Sequence, residues 1–191
     1  MNINEIVRYR RSVYPVDYTE DVISKETLQE LLECANAAPT HKLTQPWRFI
    51  VYYEDGLKTL AAQLKGAYMA SVEKALYSEK KFQSIGEKVL RSGAVMAICL
   101  EASGKIPEEE EVAAVACAVE NMWLVASSYG IGAYWSTPAY LPDLKQVFRL
   151  KPNERCIGIF YLGYHNNPPK PGVRSPAEDK VTWVTDAPQE V

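Results

Sequence analysis

The chain has 191 residues, 47% hydrophobic, 10% aromatic and 24% charged, a balance that excludes a disordered, collagen-like or fibrous polymer and predicts one domain with a sizeable core. Its formal net charge of -3 argues against nucleic-acid binding, which needs a basic face to neutralise phosphates. The opening MNINEIVRYRRSV has no long apolar run after its charges and no later apolar stretch reaches membrane-span length, so neither a secretory signal nor a membrane helix is expected, and a cytoplasmic location is.

Ile3, Ile6 and Val7, with charges between them, predict a short helix running into Arg10, Arg11 and Ser12. Pro15 and the polar stretch 17–21 break that pattern. Ser24 then stands as the N-cap of a helix that carries Leu28, Leu31, Leu32 and Ala35 and stops near Pro39. Residues 47–53 (WRFIVYY) are β-branched and aromatic, end at Glu54-Asp55-Gly56, and read as a largely buried strand. Leu57, Leu60, Ala61, Leu64 and Ala67 begin a helix expected to continue to about Gln83, with Gly66 as its weak point. Residues 94–100 (AVMAICL) are a second buried strand by their length.

Pro107 and the carboxylates Glu108, Glu109, Glu110 and Glu111 suit the positive end of a helix, a structural role. That helix continues through Val112, Val115, Ala116, Val119, Met122, Trp123 and Ala126 to Gly130, and its apolar circumference predicts a central buried position. A short strand at 133–136, a helix opened by Pro142 and running through Phe148, and a long buried strand at 156–162 (CIGIFYL) follow. After Gly163 come Pro168, Pro169, Pro171 and Pro176, then Val181-Thr182-Trp183-Val184, which together read as an extended arm leaving the domain. Strands alternating with helices predict a three-layer α/β or α+β protein with four or five strands. The all-round apolar helix and the arm predict a core completed by a second subunit.

Cys34, Cys99, Cys117 and Cys156 are scattered without a CxxC pair among apolar neighbours, and only His41 and His165 could assist them, so four buried small hydrophobes are expected rather than a metal site. The chain has no GxSxG elbow, HExxH pair or P-loop. Gly130-Ile131-Gly132 follows a helix and precedes a strand, the reverse of a dinucleotide fingerprint, and is read as a helix end. Arg10-Arg11-Ser12 offers two guanidinium groups and a hydroxyl to a phosphate or a planar ring carbonyl; the same cations in a last helical turn also serve as simple caps. Between Pro39 and Pro46, two prolines stiffen a run of hydrogen-bonding side chains, which presents Thr40, His41, Thr44 and Gln45 together or lets them satisfy local backbone groups.

These segments carry a resemblance. RRS at 10–12, APTHKLTQPWRF at 38–49, GIGAYWSTPAY at 130–140 and FYLGYHNNPPKPGVRSP at 160–176 resemble, in order and spacing, the FMN-dependent nitroreductase superfamily, most nearly its short, compact members with a His-Lys pair before QPW. The resemblance spans nearly the whole chain. It implies an α+β nitroreductase-like fold, a central mixed sheet flanked by helices in an interlocked homodimer, with FMN at the dimer interface and residues 164–191 as an arm onto the partner. It also implies that Arg10, Arg11 and Ser12 meet the FMN phosphate, ribityl chain and pyrimidine edge; that Pro39, Thr40, His41 and Leu43, with Gln45, reach the flavin from the partner; that Trp135, Ser136 and Thr137 lie beside the isoalloxazine ring; and that Arg174 clamps the phosphate. Lys65 is a further candidate contact, and Tyr68 a candidate for the aromatic wall.

Flavin supplies the hydride chemistry, so no catalytic side chain need be assigned. The implied activity is ping-pong reduction of nitroaromatics, quinones or similar conjugated acceptors at the expense of NADH or NADPH. A non-catalytic flavin-binding or redox-sensing protein, or dehalogenation, flavin fragmentation or ene reduction on the same scaffold, remain open alternatives.

Overall fold

Side-chain caps start the first two helices. The structure, a computed structural model, describes residues 2–185. Helix α1 (Ile3–Tyr9) opens on a capping box in which the Asn2 side chain accepts from Glu5 N–H and the Glu5 carboxylate accepts from Asn2 N–H. The Ser24 hydroxyl caps α2 (Lys25–Asn36) by accepting from Thr27 N–H. Helix α5 (Glu108–Ser128) begins after Pro107 and is followed by Gly130 at φ +73, as its sequence predicts.

Four strands make one sheet, β1 (Trp47–Tyr53), β2 (Ala94–Glu101), β3 (Ile131–Ser136) and β4 (Glu154–Tyr164), in the order β1-β2-β4-β3. Among the described residues every ladder is antiparallel, and an isolated parallel bridge joins Ser12 to Ala133 at the β3 edge. Alternation along β2 divides the core. Met96, Ile98 and Leu100 face α2 and α5, while Val95, Ala97 and Cys99 face α3 (Gly56–Ser71), α4 (Glu79–Leu90) and α6 (Leu144–Val147). The expected three-layer α+β architecture is therefore present, helices covering both faces of a strand apolar throughout.

The predicted helix from Leu57 to Gln83 is two helices. The break falls at Val72–Ser78 and not at Gly66, which lies inside α3. The Ser71 hydroxyl bonds to Ala67 O at 2.7 Å and to Asp143 Oδ2 at 2.6 Å, Val72 turns extended, and Ser78 caps α4 through Lys81 N–H. The Tyr68 hydroxyl accepts from Ser78 N–H, which ties the two helices together.

Helix α5 is buried on one side only. Ala114, Val115, Ala118, Val119 and Met122 enter the core, whereas Ala116 and Cys117 are exposed in the single chain. The expectation of four buried cysteines is corrected with it: Cys99 and Cys156 are buried, Cys34 is half-buried and Cys117 is exposed. Two of the acidic residues that open α5 hold other parts of the chain. Both Glu111 carboxylate oxygens accept from Ser103 N–H at 3.1 Å, and Glu108 pairs with Arg155 at 2.7 Å.

The arm starts later than residue 164. Tyr164 still pairs with Ile131, and His165 bridges to Tyr18, so the chain leaves the sheet after His165. Beyond it lies one short 3-10 turn at Ala177–Lys180, and residues 181–184 form no strand with their own chain. Val173, Trp183 and Val184 are more than four-fifths exposed, at 91%, 82% and 86%.

Candidate functional site

Helix α1 ends as Arg10 N–H bonds to Ile6 O at 2.7 Å, and the chain then runs extended along the edge of β3, with Val13 N–H bonded to Ala133 O at 3.0 Å. This geometry carries Arg10, Arg11 and Ser12 to the rim of a cavity of about 410 Å³, also lined by Ile131, Gly132 and Lys170. The volume falls in the range of small-molecule sites. Gly132 is required here, because a Cβ would sit 2.7 Å from Val13 Cβ and 2.8 Å from His165 Cδ2.

One guanidinium nitrogen at the cavity is orphaned, and a second is charge-paired without hydrogen-bond geometry. Arg10 stacks on the Trp123 indole with its Cζ 4.5 Å from the ring centroid, and its Nε lies 3.1 Å from Glu120 Oε1. That pair is within ion-pair distance, yet the Nε–H makes no hydrogen bond, and Arg11 Nη2 is likewise buried without a partner. Buried donors of this kind are uncommon, and an acceptor arriving in the cavity would satisfy them. His165 lines the same cavity; its Nδ1 accepts from Asn167 N–H at 3.1 Å, and burial holds its imidazole below the ordinary value of 6.5, with Arg11 adding to the shift and Asp17 opposing it.

The segment containing Pro39, Thr40, His41, Leu43 and Gln45 lies outside this cavity. The Thr40 hydroxyl holds its turn by contacting Thr44 Oγ1 at 3.1 Å and accepting from Gln45 N–H at 3.0 Å. His41 Nδ1 is 2.6 Å from Glu110 Oε2 at the start of α5. Lys42, Leu43 and Gln45 all adopt positive φ, three of the five non-glycine residues that do so among those described, and Leu43 is 81% exposed. Backbone strain and an exposed leucine are concentrated in one loop whose side chains lie apart from their own chain's cavity.

Trp135 and Ser136 end β3, two or three residues beyond the bridge at Ala133, and Thr137 follows; at the rise of an extended strand they lie roughly 7–13 Å along the sheet from that bridge. The Trp135 Nε1–H donates to Ile157 O at 3.4 Å, and its indole covers Gly158, where any side chain would overlap it. Arg174 lines a neighbouring cavity with Arg8 and Arg10, is exposed, and bonds its own Val173 O at 2.7 Å. In one chain, then, the structure brings Arg10, Arg11 and Ser12 together, sets Arg174 next to Arg10, and keeps 39–45 apart. Lys65 lies over Phe82 and reaches Gln83, and Tyr68 is only 2% exposed in the core; neither lines the cavity. Sequence reasoning missed His165 and Lys170 as lining groups and Trp123 as the platform for Arg10. The lysine between prolines in PPKP was a usable signal, whereas the Trp123 stacking depends on how α1 crosses α5.

The sequence pattern described as "Nitroreductase family" matches residues 7–164. Among curated proteins, the candidate NAD(P)H nitroreductase YfhC of Bacillus subtilis (strain 168) is 29% identical over 185 residues, covering 94% of this chain and 93% of that one. Among solved structures, a nitroreductase-like family protein from Bacillus cereus superposes with a TM-score of 0.81 at 25% identity, covering 96% of each chain. A candidate nitroreductase from Desulfovibrio desulfuricans, solved in complex with FMN, shares the fold with a TM-score of 0.70 at 21% identity, covering 98% of this chain and 99% of that one. The fold is the α+β nitroreductase-like one, a mixed sheet between helical layers. The chain belongs to the nitroreductase family.

Proposed function

We propose that this protein is an FMN-dependent oxidoreductase that takes reducing equivalents from NADH or NADPH and reduces nitroaromatics, quinones or related conjugated acceptors, working as a homodimer. The observation that carries the reading is the orphaned guanidinium donor of Arg11, with Arg10 beside it, at a cavity whose glycine floor tolerates no side chain. The residues present fit the cofactor, since a phosphate supplies the acceptor that the buried Arg11 nitrogen lacks.

In this reading Arg11 and Ser12 bind the polar end of the cofactor, Arg10 is aimed by Trp123 and Glu120, and Lys170 and Arg174 add positive charge from the arm. Trp135, Ser136 and Thr137 orient the ring end, Trp135 offering an apolar wall that excludes water. Pro39, Thr40, His41, Leu43 and Gln45 complete the site from the partner subunit, which accounts for their distance from their own cavity. Bound flavin supplies the hydride chemistry. The cationic side chains then stabilise negative charge on the reduced cofactor.

Two relatives support this cofactor and reductant: the Desulfovibrio desulfuricans protein was solved with FMN, and the Bacillus subtilis protein is named as a candidate NAD(P)H nitroreductase. Steady-state assays with FMN-loaded protein, NADH or NADPH, and a nitroaromatic test it: turnover with parallel double-reciprocal lines is expected. Bound FMN that neither nicotinamide reduces would overturn the enzymatic reading in favour of a flavin-binding or redox-sensing protein.

A further inference from the structure

Two buried thiols on the central strands serve no part of the candidate site. Cys99 on β2 and Cys156 on β4 are direct register partners, and both face the layer formed by α3, α4 and α6. A β-bulge aligns them. Pairing runs from Ile98 opposite Gly158 to Cys99 opposite Cys156, so Ile157 is the extra residue. Without it Cys99 would face Ile157, and Cys156 would shift along the ladder. Opposed residues of an antiparallel pair have Cα atoms about 4.5–5.5 Å apart, inside the span that a disulfide bridges.

The two sulfurs differ in environment. Cys99 is fully buried, while Cys156 lines an open cavity of about 480 Å³ together with Lys145, Arg155 and Pro142. Each thiol alters the other's pKa: Cys99 lowers that of Cys156 below the ordinary thiol range, and Cys156 and burial push that of Cys99 well above it. The thiol at the cavity wall, 8% exposed, is thus the more acidic of the two, and the fully enclosed Cys99 stands behind it. The bulge also carries the Ile157 carbonyl that receives the Trp135 indole N–H, so a bridge here would fix the strands beneath that side chain.

We propose that Cys99 and Cys156 form a reversible dithiol–disulfide site, oxidised by a low-molecular-weight disulfide of the glutathione type, which carries both ammonium and carboxylate groups and enters through the cavity beside Cys156. The Cys156 thiolate attacks one sulfur of the incoming disulfide; a mixed disulfide forms, the incoming S–S bond breaks, and the departing thiolate takes up the proton Cys156 has lost. Cys99 then attacks the Cys156 sulfur, the mixed disulfide breaks, and the second departing thiolate takes the Cys99 proton. Two protein thiols are oxidised, one small disulfide is reduced to two thiols, and no other reactant is needed. The cavity presents both signs of charge, Lys145 and Arg155 beside Glu108 and Glu154, with Arg155 paired to Glu108. The inference is independent of flavin binding.

The test incubates the full-length protein with excess glutathione disulfide, blocks remaining thiols with N-ethylmaleimide in denaturant, and maps the peptides by mass spectrometry. A cross-linked peptide joining Cys99 to Cys156, two hydrogens lighter and removed by dithiothreitol, is expected. In Cys99→Ala a single glutathionyl adduct accumulates on Cys156. Recovery of both residues as alkylated thiols, or cross-links confined to Cys34 and Cys117, overturns the proposal in the wild-type protein without recourse to a variant.

Discussion

Arg11 carries a buried guanidinium nitrogen with no acceptor, and the protein tolerates that cost beside a cavity open to a ligand. Arg11→Ala is expected to weaken FMN binding by about 1.5–3 kcal/mol, roughly tenfold to a hundredfold in Kd, in a flavin-fluorescence titration. Arg174→Ala should have a smaller effect, because that side chain is exposed and already bonded to its own backbone. Equal affinity of Arg11→Ala and the parent protein would return Arg11 to a plain capping role. His165 sets a pH dependence. Burial lowers its native affinity for a proton below the ordinary value of 6.5, so as pH falls through that value the unfolded chain takes up a proton the native state resists. Stability should therefore decline from about pH 6.5 down to the depressed native value. Thermal denaturation of His165→Gln should lack this part of the slope; an unchanged profile would contradict it.

At the scale of elements, β3 and its neighbours hold the site through close approach. Gly132→Ala forces a methyl group against Val13 and His165, and a loss of about 1–3 kcal/mol is expected by urea denaturation. An unaltered midpoint would mean the floor of the cavity yields freely. Some elements were legible in the sequence for physical reasons. The run AVMAICL fits a short strand buried on both faces, and it is β2; Ser24 and Gly130 mark helix ends through local chemistry alone. The break between α3 and α4 was not legible, because it depends on Ser71 reaching Asp143, seventy-two residues away. The one-sided burial of α5 escaped for a related reason: apolar periodicity does not say whether a face meets its own chain or another. In the candidate site, the Arg10-Arg11-Ser12 motif could be read directly. The Trp123 platform and the His165 contact could not, since each exists only once distant segments pack.

The whole molecule shows an unfinished surface. Apolar side chains of the arm, among them Val173, Trp183 and Val184, stand exposed, as do Leu43 on the strained loop and the small residues of α5. In the proposed homodimer a second copy of the chain covers them and brings the 39–45 loop to the other subunit's cavity. Truncation after Asn166 leaves β4 and the His165 bridge intact and removes the arm, with it Asn167 and Lys170 from the cavity lining. It should abolish both dimer and flavin retention in size-exclusion chromatography with absorbance detection; a stable, flavin-bound monomer would refute the role given to the arm.

The central claim is that Arg10, Arg11 and the β3 edge hold a flavin that nicotinamide can reduce. The visible spectrum of the purified protein, recorded after FMN loading and desalting and again after anaerobic addition of NADH or NADPH, tests it most directly. Retained flavin absorbance that bleaches on addition of either nicotinamide is predicted, and a colourless protein, or a flavin spectrum that neither one changes, would contradict it.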